Sequence, residues 1–231
     1  MATESLTAKK SRTSNIVARL EEIYPGASCA LEYGGEPWRL MVMARLSAQC
    51  TDARVNEVCK TLFEKFPTLD SLADAPLNEI AETVRSCGLW QKKSENIKEE
   101  CQIVRDRFGG VVPSNMEDLL SLPGVGRKIA NLLLGDIYGK PAVVTDTHCI
   151  RICGRLGLYD ESLKDPYKVE RILVKLIQPE KQSDFCHRIV QFGRDVCTAR
   201  SPQCDLCPLS DLCTHHKSLK TKKKDKGEKH V

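Results

Sequence analysis

Residues 122–146 read LPGVGRKIANLLLGDIYGKPAVVTD, and this stretch decides most of what the chain can be. Leu122-Pro123-Gly124-Val125-Gly126 separates two helical patterns. A glycine turn placed there presents backbone N–H groups at the start of the second helix, an arrangement that holds phosphate. Arg127 and Lys128 open that helix, and Asp146 follows after it ends at Gly139. A phosphate grip, an amine and a carboxylate within 25 residues point to chemistry on a nucleic-acid backbone or sugar.

Working outward, 231 residues can bury one sizeable core or two small ones. A hydrophobic content of 41% with 29% charged residues fits a soluble globular protein. No apolar run approaches the roughly 20 residues of a membrane span, so no membrane association is expected. Met1 to Asn15 lacks the apolar core of a secretory signal. A reducing compartment is therefore expected: the cytoplasm, with the nucleoid in a bacterium. The twelve cysteines are read as thiols or metal ligands and not disulfides. The net charge of +4 misleads, because His215 to Val231 alone carries +5. A DNA-binding face must come from local clustering. Two readings of the tail stand: a solvated, disordered end, or a non-specific phosphate contact.

The pattern is helical almost throughout. Ile16, Leu20, Ile23 and Tyr24 form a first stripe ended by Pro25-Gly26. Pro37 opens a second helix running toward Ser47, and Val55 to Phe66 marks a third. Leu77 to Val84 and Ile97 to Val104 supply a fourth and a fifth, closed by Gly88 and Gly109-Gly110. Ser114 and Glu117 fit a capping box for a short helix before the hairpin turn. Helices are expected over 129–138 and 147–156, the latter with Asp146 as N-cap. Asp165-Pro166 opens another, and Phe185 to Phe192 marks the last. No alternating strand appears, so the class is all-α.

Cys197, Cys204, Cys207 and Cys213 follow C-x6-C-x2-C-x5-C. Four thiolates can hold an iron–sulfur cluster or a structural zinc. Zinc ribbons usually show two close cysteine pairs, and only Cys204-x2-Cys207 is close here. The remaining cysteines, such as Cys59, Cys101 and Cys153, sit mainly on apolar faces and read as small core residues. Cys50, beside Gln49 in a loop, is expected to be more exposed.

The Leu122–Lys128 turn with Asp146 and this cysteine loop resembles the helix-hairpin-helix/Gly-Pro-Asp DNA glycosylases, closest to their endonuclease III branch, from about Ser14 to Cys213. The resemblance implies two helical domains: a six-helix barrel with the helix-hairpin-helix over 30–140, and a cluster domain of 14–29 with 141–214. Residues 1–13 and 215–231 would be disordered tails. An active-site cleft would lie between the domains, faced by Lys128 and Asp146. The four cysteines match the family's loop at every position, which implies a [4Fe–4S] cluster, with zinc as the alternative.

The resemblance also implies a bifunctional DNA N-glycosylase and AP lyase of base excision repair. It would remove oxidised pyrimidines from double-stranded DNA, act on abasic sites, and work as a monomer. A lysine amine at position 128 can attack the sugar C1′, and the resulting Schiff base permits β-elimination. The amine must be neutral to attack, and burial beside Arg127 or the helix N-terminus would favour that form. An ionised Asp146 would stabilise positive charge on the sugar. Flipping a base out leaves a hole in the stack. Leu46-Ser47-Ala48-Gln49 resembles the family loop whose Gln fills it, and Gly88-Leu89 the second wedge. DNA contacts are expected from Leu122, Gly124, Val125, Gly126 and Arg127. His148, read as structural or phosphate-facing, joins them, as do Arg194 and Arg200, which as ordinary surface arginines would need no such role. The rival readings are a related glycosylase for mismatched adenine, mismatched thymine or a pyrimidine dimer, a non-catalytic DNA-binding module, and an electron-transfer protein. A passive hairpin leaves Lys128 and Asp146 unexplained, and electron transfer leaves the hairpin unexplained.

Overall fold

The computed structural model describes residues 4–227. Among these the chain is helical with no strand. The helices are α1 (Leu6–Ile23), α2 (Pro37–Leu46), α3 (Asp52–Lys65), α4 (Leu69–Asp74), α5 (Leu77–Thr83), α6 (Trp90–Phe108), α7 (Met116–Ser121), α8 (Arg127–Asp136), α9 (Thr147–Arg155), α10 (Pro166–Leu176), α11 (Gln182–Asp195) and α12 (Thr214–Gly227). Backbone contacts divide the chain into two compact units, Met1–Ser28 with Pro141–Val231, and Cys29–Lys140.

The Cys29–Lys140 unit is built around α2, which is buried on nearly every side from Trp38 to Leu46. Pro37 occupies its first turn, where a missing N–H costs nothing. Helices α3, α6 and α8 pack on α2, while α4 and α5 pack on α6. The sequence pattern missed α4, whose six residues span too few turns to show a period. It is held by a capping box between Thr68 and Ser71. The box expected at Ser114 and Glu117 is not the one that forms. Asn115 caps α7 by accepting from Asp118 N at 2.9 Å, and the Ser114 carbonyl instead accepts from the Lys140 ammonium.

In the other unit, α11 packs against α1 and α9, and α10 packs on α1. Its core includes Ile16, Leu20, Ile152, Leu173, Phe185 and Phe192. Burying each such side chain contributes roughly 1.5–3 kcal/mol. Both expected tails need correcting. Helix α1 begins at Leu6, capped by Ser5, because Arg12 fastens it. The Arg12 guanidinium donates to Leu156 O at 2.6 Å, Leu212 O at 3.0 Å and Gly157 O at 3.1 Å. Residues 214–227 form α12, whose first turn is tied down by Thr214, His215 and His216. The rest of those two expected tails, 1–3 and 228–231, lies outside the described residues.

Candidate functional site

The hairpin turn joins α7 to α8. Gly124 lies at φ +69, in the left-handed region, and Gly126 is the N-cap of α8. Leu122 and Val125 are buried, with Val125 N donating to Leu122 O at 3.1 Å. Their side chains therefore make the turn's own core, and only their backbone is available to DNA. The first amides of a helix have no carbonyl of their own helix to donate to. Lys128 is the second residue of α8 and is exposed. The burial expected for it is absent, because α8 buries Ala130, Asn131, Leu133 and Leu134 and Lys128 lies off that face.

A residue not singled out from the sequence supports this turn. Arg45, near the end of α2, donates through Nη2 to Pro123 O at 2.9 Å. A Cβ at Gly124 would stand 2.6 Å from Arg45 Nη1. Glu100 of α6 faces the same guanidinium at 3.7 Å, too long for a hydrogen bond, and neither carboxylate oxygen has another partner. Burial, only partly offset by Arg45, pushes the Glu100 carboxyl up to about 8. The one available signal was the place of Arg45 inside the otherwise apolar run from Leu40 to Leu46, and nothing set Glu100 apart from the other charges of α6.

Gln49 and Leu89 are the two non-glycine residues with positive φ among those described, at +56 and +51. Non-glycine residues in this region carry strain, which clusters at functional sites. Gln49 is exposed, and the apolar Leu89 is 63% exposed. The structure brings these two tips together, since a Cβ at Gly88 would lie 4.0 Å from Gln49 O. The ammonium of Lys93, a buried residue of α6, donates to Leu46 O at 2.8 Å and also to Cys87 O, tying one loop to the other.

In the other unit Asp146 is the N-cap of α9, as expected, with Oδ1 accepting from Cys149 N at 2.7 Å. His148 is half-buried, with Nδ1 3.2 Å from Arg151 Nη2. It packs over Gly193, where any Cβ would collide with its Nδ1. Arg194 and Arg200 are exposed.

The far end of α9 holds the cysteine loop. Arg151 donates to Cys197 O at 3.0 Å. Arg155 donates to Thr198 O at 2.8 Å, to Ala199 O at 2.9 Å and to Cys197 Sγ at 3.5 Å. Neither arginine stood out in the sequence, though their spacing of four places them on one helix face. All four loop cysteines line one cavity. Among the described residues no three His, Cys, Asp or Glu side chains meet closely enough to share one metal ion. Thiols spread around a cavity suit a cluster several ångströms across better than a zinc with Zn–S near 2.3 Å. Arg155 and His216 also line the cavity, and Arg155 Nε and His216 Nε2 are buried without a hydrogen-bond partner. The Arg155 Nε–H fits an anionic thiolate cluster.

The sequence matches the family model for HhH-GPD superfamily base excision DNA repair proteins over residues 42–179. Residues 197–213 match the iron–sulfur binding domain of endonuclease III, a span that begins at Cys197 and ends at Cys213. The endonuclease III of Synechocystis sp. is 44% identical over 209 residues, covering 90% of this chain and 94% of that protein. A solved non-covalent endonuclease III–DNA complex superimposes with a TM-score of 0.85 at 38% identity, covering 96% of this chain and 100% of that one. A trapped endonuclease III–DNA covalent intermediate gives 0.85 at 39% identity, covering 95% and 99%. The cofactor of this chain is a [4Fe–4S] cluster, and the chain belongs to the endonuclease III family of HhH-GPD base excision DNA repair proteins.

Proposed function

We propose that Lys128 and Asp146 carry the chemistry of this bifunctional DNA glycosylase and AP lyase, and that oxidised pyrimidines in double-stranded DNA are its substrates. The observation that carries the reading is an exposed amine at the second position of α8, directly past a turn that leaves helix amides for a phosphate. The Lys128 nitrogen bonds to C1′ as the glycosidic bond breaks. Ring opening gives the Schiff base, and loss of a C2′ proton expels the 3′ phosphate. Asp146 keeps one oxygen on the Cys149 amide, and its charge faces the cation that develops on the sugar.

Gln49 fills the space left by the flipped base, and Leu89 wedges into the stack beside it. The exposure of an apolar Leu89 on a strained backbone supports that role. Gly124, Gly126 and the backbones of Leu122 and Val125 hold phosphate together with Arg127, while His148, Arg194 and Arg200 add contacts on the other unit. Cys197, Cys204, Cys207 and Cys213 hold the cluster, which orders a loop with little core of its own. The enzyme acts as a monomer on duplexes with damaged bases or abasic sites, in the cytoplasm. No helix among the described residues is long and apolar enough to cross a membrane.

Borohydride trapping on abasic duplex tests the nucleophile. Wild-type protein becomes covalently linked, and Lys128→Ala does not while still binding. Trapping of Lys128→Ala at the wild-type rate would overturn the assignment. Duplexes carrying thymine glycol, dihydrouracil, 8-oxoguanine, A·G and T·G test the lesion class, which fails if the pyrimidine lesions are not the preferred substrates.

A further inference from the structure

The two loop tips carry a pair of thiols that the glycosylase chemistry does not use. Cys50 directly follows Gln49, and Cys87 lies two residues before Leu89. The backbones beside them meet, since a Cβ at Gly88, next to Cys87, would lie 4.0 Å from the carbonyl oxygen of Gln49, next to Cys50. Cys50 is half-buried and reachable from solvent, while Cys87 is fully buried behind it. The backbones around them are already held together by Lys93, bonded to Leu46 O and Cys87 O. A third thiol, Cys59, is buried on α3, which packs against residues 85–87.

We propose that Cys50 and Cys87 form an oxidisable dithiol, that small-molecule disulfides convert it to a cross-link between the loops carrying Gln49 and Leu89, and that the cross-link weakens binding to lesion-containing DNA. Cys50 attacks the small disulfide RSSR, giving Cys50–S–SR and releasing RSH. Cys87 then attacks Cys50 Sγ, forming the protein disulfide and releasing the second RSH. Each protein thiol proton ends on a released thiol, and the protein's two electrons reduce RSSR. Burial pushes the Cys87 thiol up to about 11, partly offset by the Lys93 charge, so the second step is slow. Closing the bond brings the sulfurs to about 2.0 Å, nearer than any thiol–thiol contact. Both tips must then move from the geometry in which they meet DNA. That consequence rests on Gln49 and Leu89 being the DNA-facing tips, whereas the cross-link does not.

Cluster-loaded protein is incubated anaerobically with oxidised glutathione, then mapped as non-reduced peptides and titrated with a thymine-glycol duplex. The expected result is a Cys50–Cys87 linked peptide, with affinity about tenfold lower and restored by dithiothreitol. Cys50→Ala should show neither change. The proposal is overturned if glutathione stays on Cys50 without cross-linking, if Cys59 is the partner, if the cross-link leaves affinity unchanged, or if Cys50→Ala loses affinity equally. Reduced protein that fails to prefer the lesion duplex overturns the DNA-facing reading of the tips, and the peptide map still judges the cross-link.

Discussion

Arg45 lies directly beneath Gly124: its guanidinium fills the space where any side chain at that position would begin, 2.6 Å from a Cβ there. The hairpin is therefore shaped by contact with α2 as well as by its own glycines. This arrangement puts a buried charge under the hairpin turn, with Glu100 opposite.

Gly124→Ala meets two obstacles, the left-handed backbone and Arg45. The turn must shift or Arg45 must leave Pro123 O. The expected loss is about 1–3 kcal/mol of stability, because strained backbone and displaced buried charge each cost on that scale. Duplex affinity should fall with it. Denaturant unfolding and DNA titration check this, and an unchanged midpoint with unchanged affinity would refute the packing account.

Glu100 makes stability depend on pH. Folded, its carboxyl keeps its proton to about 8, against an ordinary value of 4.5. Between those values the folded state binds one more proton than the unfolded state. Stability is therefore full below about 4.5 and falls as pH rises, by up to about 1.4 kcal/mol per pH unit. Glu100→Gln resembles the protonated form and cannot titrate. Its stability should match wild type near pH 5 and exceed it increasingly toward pH 8. Parallel pH–stability curves for the two proteins would rule this out.

Asp146→Asn can still cap α9 through its amide oxygen. It removes the charge assigned to the sugar cation. Folding and lesion binding should stay near normal, with base excision slowed by roughly 10²-fold or more. Cleavage of a preformed abasic site should suffer less. Thermal melting and single-turnover excision are measured together. A low melting temperature with normal excision would make Asp146 a cap and nothing more.

Ending the chain after Thr221 removes five lysines, Asp225 and Glu228, a net +3, while keeping His216. His216 Nδ1 donates to Cys204 O at 2.8 Å, so the cluster's visible absorbance should persist. Binding should weaken equally for damaged and intact duplexes, and the log–log salt slope should become shallower by up to about 3. An unchanged slope would assign the removed lysines no part in DNA binding.

Most helices were legible because their signals are local. Pro37, Asp146 and Asp165-Pro166 mark helix starts within one turn of the chain they act on. The catalytic candidates and the four cysteines proposed to hold the cluster stand out through motif spacing. The exposure of Lys128 was not, because it depends on which face of α8 is buried. Residues 1–13 looked like a free end, and the order of 4–13 comes from Arg12 reaching carbonyls more than 140 positions away.

By itself the sequence determined the all-α class, the hairpin turn, the cap on α9 and the four-cysteine loop, since periodicity, turn chemistry and ligand spacing act over a few residues. Tertiary structure alone decided which charges lie beneath these features. Arg45 and Pro123 are 78 positions apart, and Arg155 and Cys197 are 42. The approach of Gly88 to Gln49 O belongs to the same class. Such pairs come from the packing of amphipathic helices, which buries polar groups wherever the apolar faces close. A group removed from water must then find its partner in space, whatever its distance along the chain.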